Sequence, residues 1–401
     1  MPHGKNMNPS KGPDRSTLVA AAFLMATSAI GPGFLTQTAV FTGRLSASFG
    51  FVILVSILLD IGAQLNIWRI VSVSGLRAQE IANRVLPGMG HALTLAIAVG
   101  GLAFNIGNLA GAGLGLNALT GIPVPWGAAV SAVLAILVFL SKDAIAGMDA
   151  AAKGLGVLML ALTVYVVFAA KPPVGLALEK TFLPDRIDAQ AVLTLVGGTV
   201  GGYISFAGAH RLLESGLTGE RHLGSVSRSA VSAILLASVM RVLLFLAALG
   251  VISQGIPMEE GNPAAGVFRA AAGRAGYIIF GFVMWSAAIT SVIGSAFTSV
   301  SFLKTMHRSL GNHERGITVA FVGLSAAVFL WVGQPVKTLV AVGTLNGFIL
   351  PFALGTMLVA LTRKDLMGAY RHPWWITAAG VLVTAATLWM GVATLVRLWN
   401  G

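Results

Sequence analysis

The sequence predicts an all-α protein that crosses a membrane many times. Of its 401 residues, 56% are hydrophobic and only 10% are charged, and the mean hydropathy is +0.84. Soluble domains carry about 25% charged residues, so this chain has too few polar side chains to cover a water-soluble particle of its size. The apolar residues form runs of membrane-spanning length, and the charges lie mainly between these runs. This composition excludes a soluble enzyme.

Eleven segments are long enough to be transmembrane helices, because a helix needs about 20 mostly apolar residues to cross the hydrocarbon core. The segments are residues 18–43, 47–70, 93–119, 125–141, 154–170, 190–212, 227–253, 275–301, 316–332, 337–361 and 374–398. The polar residues 1–17 predict a cytoplasmic tail, which is followed by a single transmembrane domain at 18–401.

The cations predict how the chain is oriented. With a cytoplasmic N-terminus, 17 Lys and Arg residues fall in inner segments and 7 in outer segments. Inner segments are expected to be the richer in these residues. We therefore expect a multi-pass protein of the cell (inner) membrane, with its N-terminus in the cytoplasm and its C-terminus outside. The two remaining cations, Arg44 and Arg241, fall within apolar spans.

Two of the predicted spans are interrupted by glycine and polar residues. The first contains Ile-Gly-Pro-Gly at 30–33, polar residues at 36–38 and Thr-Gly-Arg at 42–44, and the sixth contains the glycine-rich stretch 197–202. Backbone groups freed at membrane depth must line a cavity or be buried in protein. Paired interruptions in corresponding spans of two halves indicate a transporter with inverted repeats and a midplane site.

Close helix packing is the alternative explanation for any glycine in a membrane span. We favour packing for Gly107, Gly111 and Gly115 of the third span, which are spaced four residues apart. We favour a binding site for spans one and six, where polar residues accompany the glycines.

Several motifs resemble those of the natural resistance-associated macrophage protein (NRAMP) metal transporters. The first, third, sixth and tenth spans each carry such a motif, and the tenth has the most specific one. These motifs are residues 31–35, 107–123, 198–200 and 348–353, the last followed by 366–368. The resemblance covers nearly the whole chain in the same order. It implies a LeuT-like fold with inverted repeats formed by helices 1–5, at about 18–170, and helices 6–10, at about 190–361, plus an extra helix at about 374–398.

The metal-binding motifs of the resembled family are missing. Aligned from residues 31–33, the family's first-helix Asp-Pro-Gly-Asn corresponds to residues 42–45, Thr-Gly-Arg-Leu, and its sixth-helix Met-Pro-His to residues 201–203, Gly-Gly-Tyr. Two acids of the family's proton pathway correspond to Asn108 and Gly111. The chain also has no cysteine. Because transition metals need carboxylate, imidazole or sulfur ligands, we expect loss of transition-metal transport and no metal site.

The expected cargo is a small organic solute that bears a carboxylate. The glycines in the sixth span leave room for it, and the guanidinium of Arg44 suits a carboxylate. The expected substrate-binding residues are Gln37, Thr38, Ala39, Thr42, Arg44, Gly198, Gly201, Gly202 and Tyr203. The alternatives are an extension of Arg44 to the outer interface and a packing role for Tyr203.

Four residues are candidates for ion coupling: Asn108, His210, Asp60 and Arg241. Asp60 and Arg241 carry opposite charges within spans two and seven, where a structural ion pair is the alternative. His210 belongs to the residue type that titrates near neutral pH, and its alternative is a capping role. The resemblance implies proton coupling and a monomer, with sodium coupling or uncoupled flux left open.

The sequence thus predicts a secondary active transporter that works by alternating access in the lipid bilayer, and not an enzyme. ATP-driven transport is not expected, since no phosphate-binding loop is present. No cofactor is expected, and no nucleic-acid partner, because the cations lie between apolar runs where they would orient the chain in a bilayer. One alternative is a divalent metal transporter that binds hydrated Mg²⁺ or Mn²⁺ through backbone carbonyls. The other is a transport-inactive membrane sensor.

Overall fold

The computed structural model describes residues 29–304 and 312–400, without the side chains of 142–153 and 398. The predicted tail at 1–17 and the first residues of the predicted first span lie outside the described residues. The helices are α1 (Pro32–Leu45), α2 (Phe49–Ser74), α3 (Ala78–Val85), α4 (Met89–Thr120), α5 (Val124–Leu140), α6 (Lys142–Ala170), α7 (Val174–Phe182), α8 (Ala189–Thr199), α9 (Ile204–Glu214), α10 (Leu223–Ser253), α11 (Pro263–Leu303), α12 (Glu314–Val332), α13 (Pro335–Ala360), α14 (Lys364–Met367) and α15 (Trp374–Asn400).

The helices have the length and composition of membrane spans. Across the described ranges, eight helical segments can cross a membrane, or nine if the bent pair 154–170 and 174–182 is one span. The segment Pro32–Ser74 counts once in this total, although the chain turns at Ser46 (φ 51°) between α1 and α2. The apolar helix α5 is shorter, with 17 residues. The polytopic all-α class is confirmed, and the number of eleven spans stays a prediction.

The glycines of the third predicted span pack against neighbouring helices, as their spacing predicts. A methyl group added at Gly115 of α4 would lie 2.6 Å from the backbone nitrogen of Trp285 in α11. One added at Gly111 would overlap the ring of Pro32 at the start of α1, and one at Gly107 would lie 3.3 Å from Val342 of α13. Glycine at these positions therefore lets α4 approach three other helices closely.

The first predicted span is broken earlier than the aligned motif predicts. The backbone bends at Ile30 and Gly31, and α1 then runs without interruption from Pro32 to Leu45. The prediction of a break at residues 42–45 is therefore wrong. Proline lacks an amide and has a fixed φ, so it suits the first position of a new helix. Gly43 lies near the end of α1, where a glycine interrupts little.

The break in the sixth predicted span lies where the glycines predict it. Helix α8 ends at Thr199, α9 begins at Ile204, and the residues between them are not helical. Gly202 has φ +56°, and a methyl group there would overlap Oδ1 of Asn346 in α13. Glycine is needed at this position both for its backbone conformation and for the close approach of α13.

Candidate functional site

Gln37 of α1 and Gly198 of α8 lie next to each other where the two broken helices meet. The Gln37 Nε2 atom donates a hydrogen bond of 2.8 Å to the carbonyl oxygen of Leu339 in α13. Its Oε1 atom is buried without a hydrogen-bond partner and lies 2.8 Å from the place that a methyl group on Gly198 would take. The structure thus brings together two of the predicted substrate-binding residues, with an unused amide oxygen between α1 and α8.

The other predicted residues of α1 serve the helix itself. Thr38 donates to the carbonyl oxygen of Phe34 at 2.8 Å, and Thr42 donates to that of Thr38 at 2.6 Å. Ala39 is buried in an apolar cluster with Phe34. These hydroxyl groups satisfy backbone carbonyls one turn back, so they are not aimed at the break in the sixth span.

Arg44 lies at the far end of α1 from the break. It is exposed in the last turn of the helix, with its guanidinium 5.7 Å from the ring of Phe41. Twelve residues separate it from Pro32, which is about 18 Å along a helix axis. The structure therefore does not place Arg44 beside residues 198–203, and its position fits the alternative of an extension to the outer interface.

Neutral polar side chains surround the start of α1. Among the described residues, no side chain caps this helix, although the first amides of a helix have no partner within it. A methyl group at Gly31 would lie 3.6 Å from Asn108 Oδ1 of α4 and 3.6 Å from Ser291 Oγ of α11. Asn105 lies one turn from Asn108 and is fully buried, with no hydrogen bond to either of its amide atoms.

Tyr203 fills part of the space beside the sixth-helix break. Its ring packs edge-on against Phe104 of α4, with the ring centres 5.4 Å apart, and its hydroxyl is within hydrogen-bonding range of Ser295. A methyl group on Gly201 would lie 2.7 Å from the carbonyl oxygen of Asn346. The space that the glycines leave is thus occupied by Phe104 and Asn346, and the roomy pocket predicted there is not open in this conformation.

Asp60 and Arg241 face a small cavity that is also lined by residues of both broken helices, α1 and α8. The cavity has a volume of about 10 Å³ and is lined by Phe34, Asp60, Thr199, Arg241 and three residues of α2 and α10. The guanidinium of Arg241 lies 4.1 Å from the ring centre of Phe34, within cation–π range. A structural ion pair was the sequence-based alternative, but the two charged groups are not in direct ion-pair contact.

His210 caps the start of α3. Its Nε2 atom accepts a hydrogen bond of 3.2 Å from the backbone amide of Ala78, and its ring stacks on Phe302 at 4.9 Å. Because the accepting nitrogen must be unprotonated, this contact favours a neutral histidine. The geometry fits the capping alternative better than a role in carrying protons.

Apart from Asp60 and Arg241, the side-chain groups described above around the two breaks are amides, hydroxyls and aromatic rings. Within the two described ranges, no three His, Cys, Asp or Glu side chains are grouped as metal ligands would be. Amide and hydroxyl groups donate and accept hydrogen bonds without adding charge. The backbone amides at the start of α1 add partial positive charge.

The fold and the paired breaks define a LeuT-like membrane transporter. The chain matches a manganese transporter of Eremococcus coleocola with a TM-score of 0.71 and 15% identity, covering 96% of this chain and 89% of that one. It matches MhsT in complex with L-phenylalanine with a TM-score of 0.64 and 17% identity, covering 96% of this chain and 99% of that one. Matches at such low identity establish the fold alone.

The particular family follows from the sequence. Residues 22–397 match the family described as natural resistance-associated macrophage protein-like, so the chain belongs to the NRAMP family of membrane transporters. It is 57% identical over 389 residues, 96% of each chain, to the Bacillus subtilis protein described as uncharacterized membrane protein YcsG. The resemblance that the motifs indicated is confirmed.

Sequence reasoning missed several polar residues of the site. Asn105, Ser291, Ser295 and Ser299 were not predicted, yet Ser299 Oγ is buried without a partner, beside Gly101. The spacing of three to four residues between 101, 105 and 108, and between 291, 295 and 299, places each set on one helix face. That spacing was the available signal.

Proposed function

We propose that this chain is a secondary active transporter that moves a small organic solute bearing a carboxylate. The observation that carries the proposal is the start of α1, which is buried and has no capping side chain from residues 29–304 or 312–400. A helix N-terminus carries partial positive charge and unpaired amides, which suit a carboxylate. The adjacent Asn108 and Ser291 are neutral, so an anion meets no fixed negative charge from them.

The rest of the solute would lie between the two breaks. Gln37 Oε1 and both amide atoms of Asn105 are buried and unused, and they would hydrogen-bond polar groups of the solute. Tyr203 and Phe104 would pack against its apolar part. Alternating access requires these two rings to move, because they fill the space beside the sixth-helix break in this conformation.

A divalent metal ion is the second candidate. It is favoured by family membership and by the manganese transporters among the solved structures of this fold. Backbone carbonyls at residues 200–203 and the amide oxygen of Asn108 would then bind a partly hydrated ion, which Mg²⁺ tolerates. The neutral donor set suits a hydrated ion better than a bare transition metal.

A ligand screen on the purified protein separates the two cargoes. Acetate, L-lactate, L-glutamate and L-phenylalanine are compared with Mn²⁺ and Mg²⁺ for thermal stabilisation. A true ligand at about 100 times its Kd stabilises the protein by about 2.7 kcal/mol. We expect at least one carboxylate to stabilise wild type and to stabilise Gln37→Ala less. Stabilisation by Mn²⁺ alone, followed by Mn²⁺ uptake into liposomes, would establish the metal candidate instead.

We also propose the orientation, the repeat boundaries and the monomeric state that the sequence predicts. The chain contains no cysteine, so single cysteines can be introduced without a background of native thiols. Lys364→Cys should react only with membrane-permeant reagents in intact cells, and Lys180→Cys with impermeant ones as well. The reverse pattern would invert the topology.

A further inference from the structure

A buried acid and a buried guanidinium face each other across a cavity that touches both broken helices. Asp60 of α2 is 2% exposed and Arg241 of α10 is 3% exposed. Phe34 in the first turn of α1 and Thr199 at the end of α8 complete the lining. The cavity volume of about 10 Å³ is space for about one water molecule.

Both charged groups have unused hydrogen-bonding capacity. Oδ1 of Asp60 and the Nε and Nη2 atoms of Arg241 are buried without a hydrogen-bond partner. A buried ion pair is stable only when its geometry is good and its remaining polar atoms are satisfied. This pair meets neither condition, so it is poorly suited to a purely structural role.

The hydroxyl of Thr199 is the neutral polar group that α8 presents to this cavity. It donates its own proton to the carbonyl oxygen of Leu195 at 2.8 Å, so its oxygen keeps the capacity to accept a hydrogen bond. Of the two forms of Asp60, the protonated acid has a proton to give and the carboxylate has none.

Arg241 is the charged neighbour of Asp60 among the described residues. Helix α10 also presents the hydroxyl of Ser238, and α15 presents the apolar Val383 near Gly62, two residues beyond Asp60. The other packed helices bring their ionisable groups to the ends of α2. Arg69, with its partner Tyr370, lies nine residues away, at about 13 Å along the helix.

We propose that Asp60 binds the coupling proton and that Arg241 is its counter-charge. Protonation neutralises Asp60, so the positive charge of Arg241 is then free to attract the solute carboxylate. A proton from solution forms an O–H bond with the Asp60 carboxylate on one side of the membrane. That bond breaks again when the site opens to the other side. The linkage to the solute rests on the proposed function, whereas proton binding by Asp60 does not.

The charge balance at the breaks explains the coupling. With Asp60 ionised, the pair is neutral overall, and the carboxylate of a solute would compete with Asp60 for Arg241. With Asp60 protonated, the pair carries one positive charge, next to the partial positive charge at the start of α1. The solute anion then binds better, and by reciprocity its binding favours the proton. One proton and one monocarboxylate cross together without net charge.

Infrared difference spectroscopy on the full chain in liposomes tests the proton site without any solute. We expect the stretching band of a buried carboxylic acid to be absent at about pH 9 and present at about pH 4. The band should be missing in Asp60→Asn and kept in Glu214→Gln, the control, which alters an exposed acid paired with Arg77. An unchanged band in Asp60→Asn, or no titration in wild type, would overturn the proposal.

Two further measurements keep the test decisive. If Asp60→Asn does not fold, carbon-13 labelling of the aspartates in wild type must shift the band, and an unshifted band overturns the assignment. Arg241→Gln should move the midpoint of the band's pH titration to higher pH, because the positive neighbour that favours the carboxylate is then gone. An unmoved midpoint would remove Arg241 from the mechanism.

The solute arm uses the carboxylate that stabilises wild type most among acetate, L-lactate, L-glutamate and L-phenylalanine. At a pH near the midpoint we expect its addition to increase the acid band at least twofold. A carboxylate that binds and leaves the band unchanged would refute the coupling. If none of the four binds and Mn²⁺ does, the proposed cargo fails, while the titration still decides whether Asp60 binds the proton.

Discussion

The two helix breaks are built in different ways. At the first, a proline starts a new helix that no described side chain caps, and Asn108 and Ser291 lie 3.6 Å from a methyl group placed on Gly31. At the second, Gly202 adopts φ +56° and leaves no room for a methyl group beside Asn346. The first break is therefore bordered by polar side chains with space beside Gly31, whereas the second packs tightly against α13.

This difference separates the effects that substitutions should have. Changes at the sixth-helix break should act mainly on folding, because tight backbone contacts there tolerate no added atoms. Changes around the first break should act mainly on transport, except at Gly111 of α4, which contacts Pro32 closely.

The largest effect is expected for Gly202→Ala. The left-handed conformation and the overlap with Asn346 should together cost about 2–4 kcal/mol, measured as a lower midpoint of thermal unfolding in detergent. Gly294→Ala in α11 is the matched control, because a methyl group there meets no atom within 4 Å. Equal midpoints for the two variants would mean that the break does not need its glycine.

The contact at the first break should give a somewhat smaller effect. In Gly111→Ala the new methyl group overlaps Pro32, and moving α1 away should cost about 1–3 kcal/mol. Gly323→Ala in α12 is the control, with no atom within 4 Å of the added group. Uptake of the solute into liposomes should fall more than stability does. Normal uptake in a stable Gly111→Ala protein would contradict the close approach of α4 to α1.

A double-mutant cycle shows how much of the Gly202→Ala effect is due to Asn346. Asn346→Ala alone should cost about 1–2 kcal/mol, because the carbonyl of Gly100 loses a hydrogen-bond donor. In the double variant, Gly202→Ala should cost about 1 kcal/mol less than in wild type, since the overlapping oxygen is gone. Strict additivity of the two changes would assign the whole effect to backbone strain.

Sequence reasoning identified the sixth-helix break, whereas for the first span it named interruptions at both 30–33 and 42–44 without deciding which of them begins a new helix. The glycine run 197–202 is itself the cause of the sixth-helix break, so reading it was enough. For the first span, motif alignment favoured residues 42–45, whereas the strong local signal was Pro32, which has no amide to donate and begins a helix readily. Local chemistry was the better guide there.

The side chains around the site depended on contacts that the sequence does not reveal. Asp60 and Arg241 were identified as opposite charges in neighbouring spans, but the water-sized gap between them depends on how α2 and α10 pack. Asn105 and Ser291 lie on helix faces that the sequence defines. Which of those faces meets the break depends on the packing of α4 against α11.

The C-terminal end of α2 lies outside both breaks and serves as a reference region. His372 bonds Asn66 at 3.2 Å and Tyr370 at 3.0 Å, and burial, with the charge of Arg69, lowers its pKa to about 4. An unfolded histidine has a pKa of about 6.5. The stabilisation is therefore complete above about pH 6.5 and decreases as the pH falls toward 4, by about 1 kcal/mol for this half-buried group. His372→Gln should flatten that decrease in thermal unfolding, and an equally steep decrease would assign it to other groups.

The smallest effect is expected for Arg44→Ala. The exposed guanidinium stabilises the C-terminal end of α1 through the helix dipole and the Phe41 ring, which together amount to less than about 1 kcal/mol. It lies about 18 Å along the helix from the uncapped amides, so transport of a carboxylate should be unchanged, with Arg241→Ala as the contrasting variant. A large loss of uptake in Arg44→Ala, with stability kept, would place the solute at the C-terminal end of α1. It would also remove the distinction drawn between the two breaks, because the ligand would then bind at neither of them.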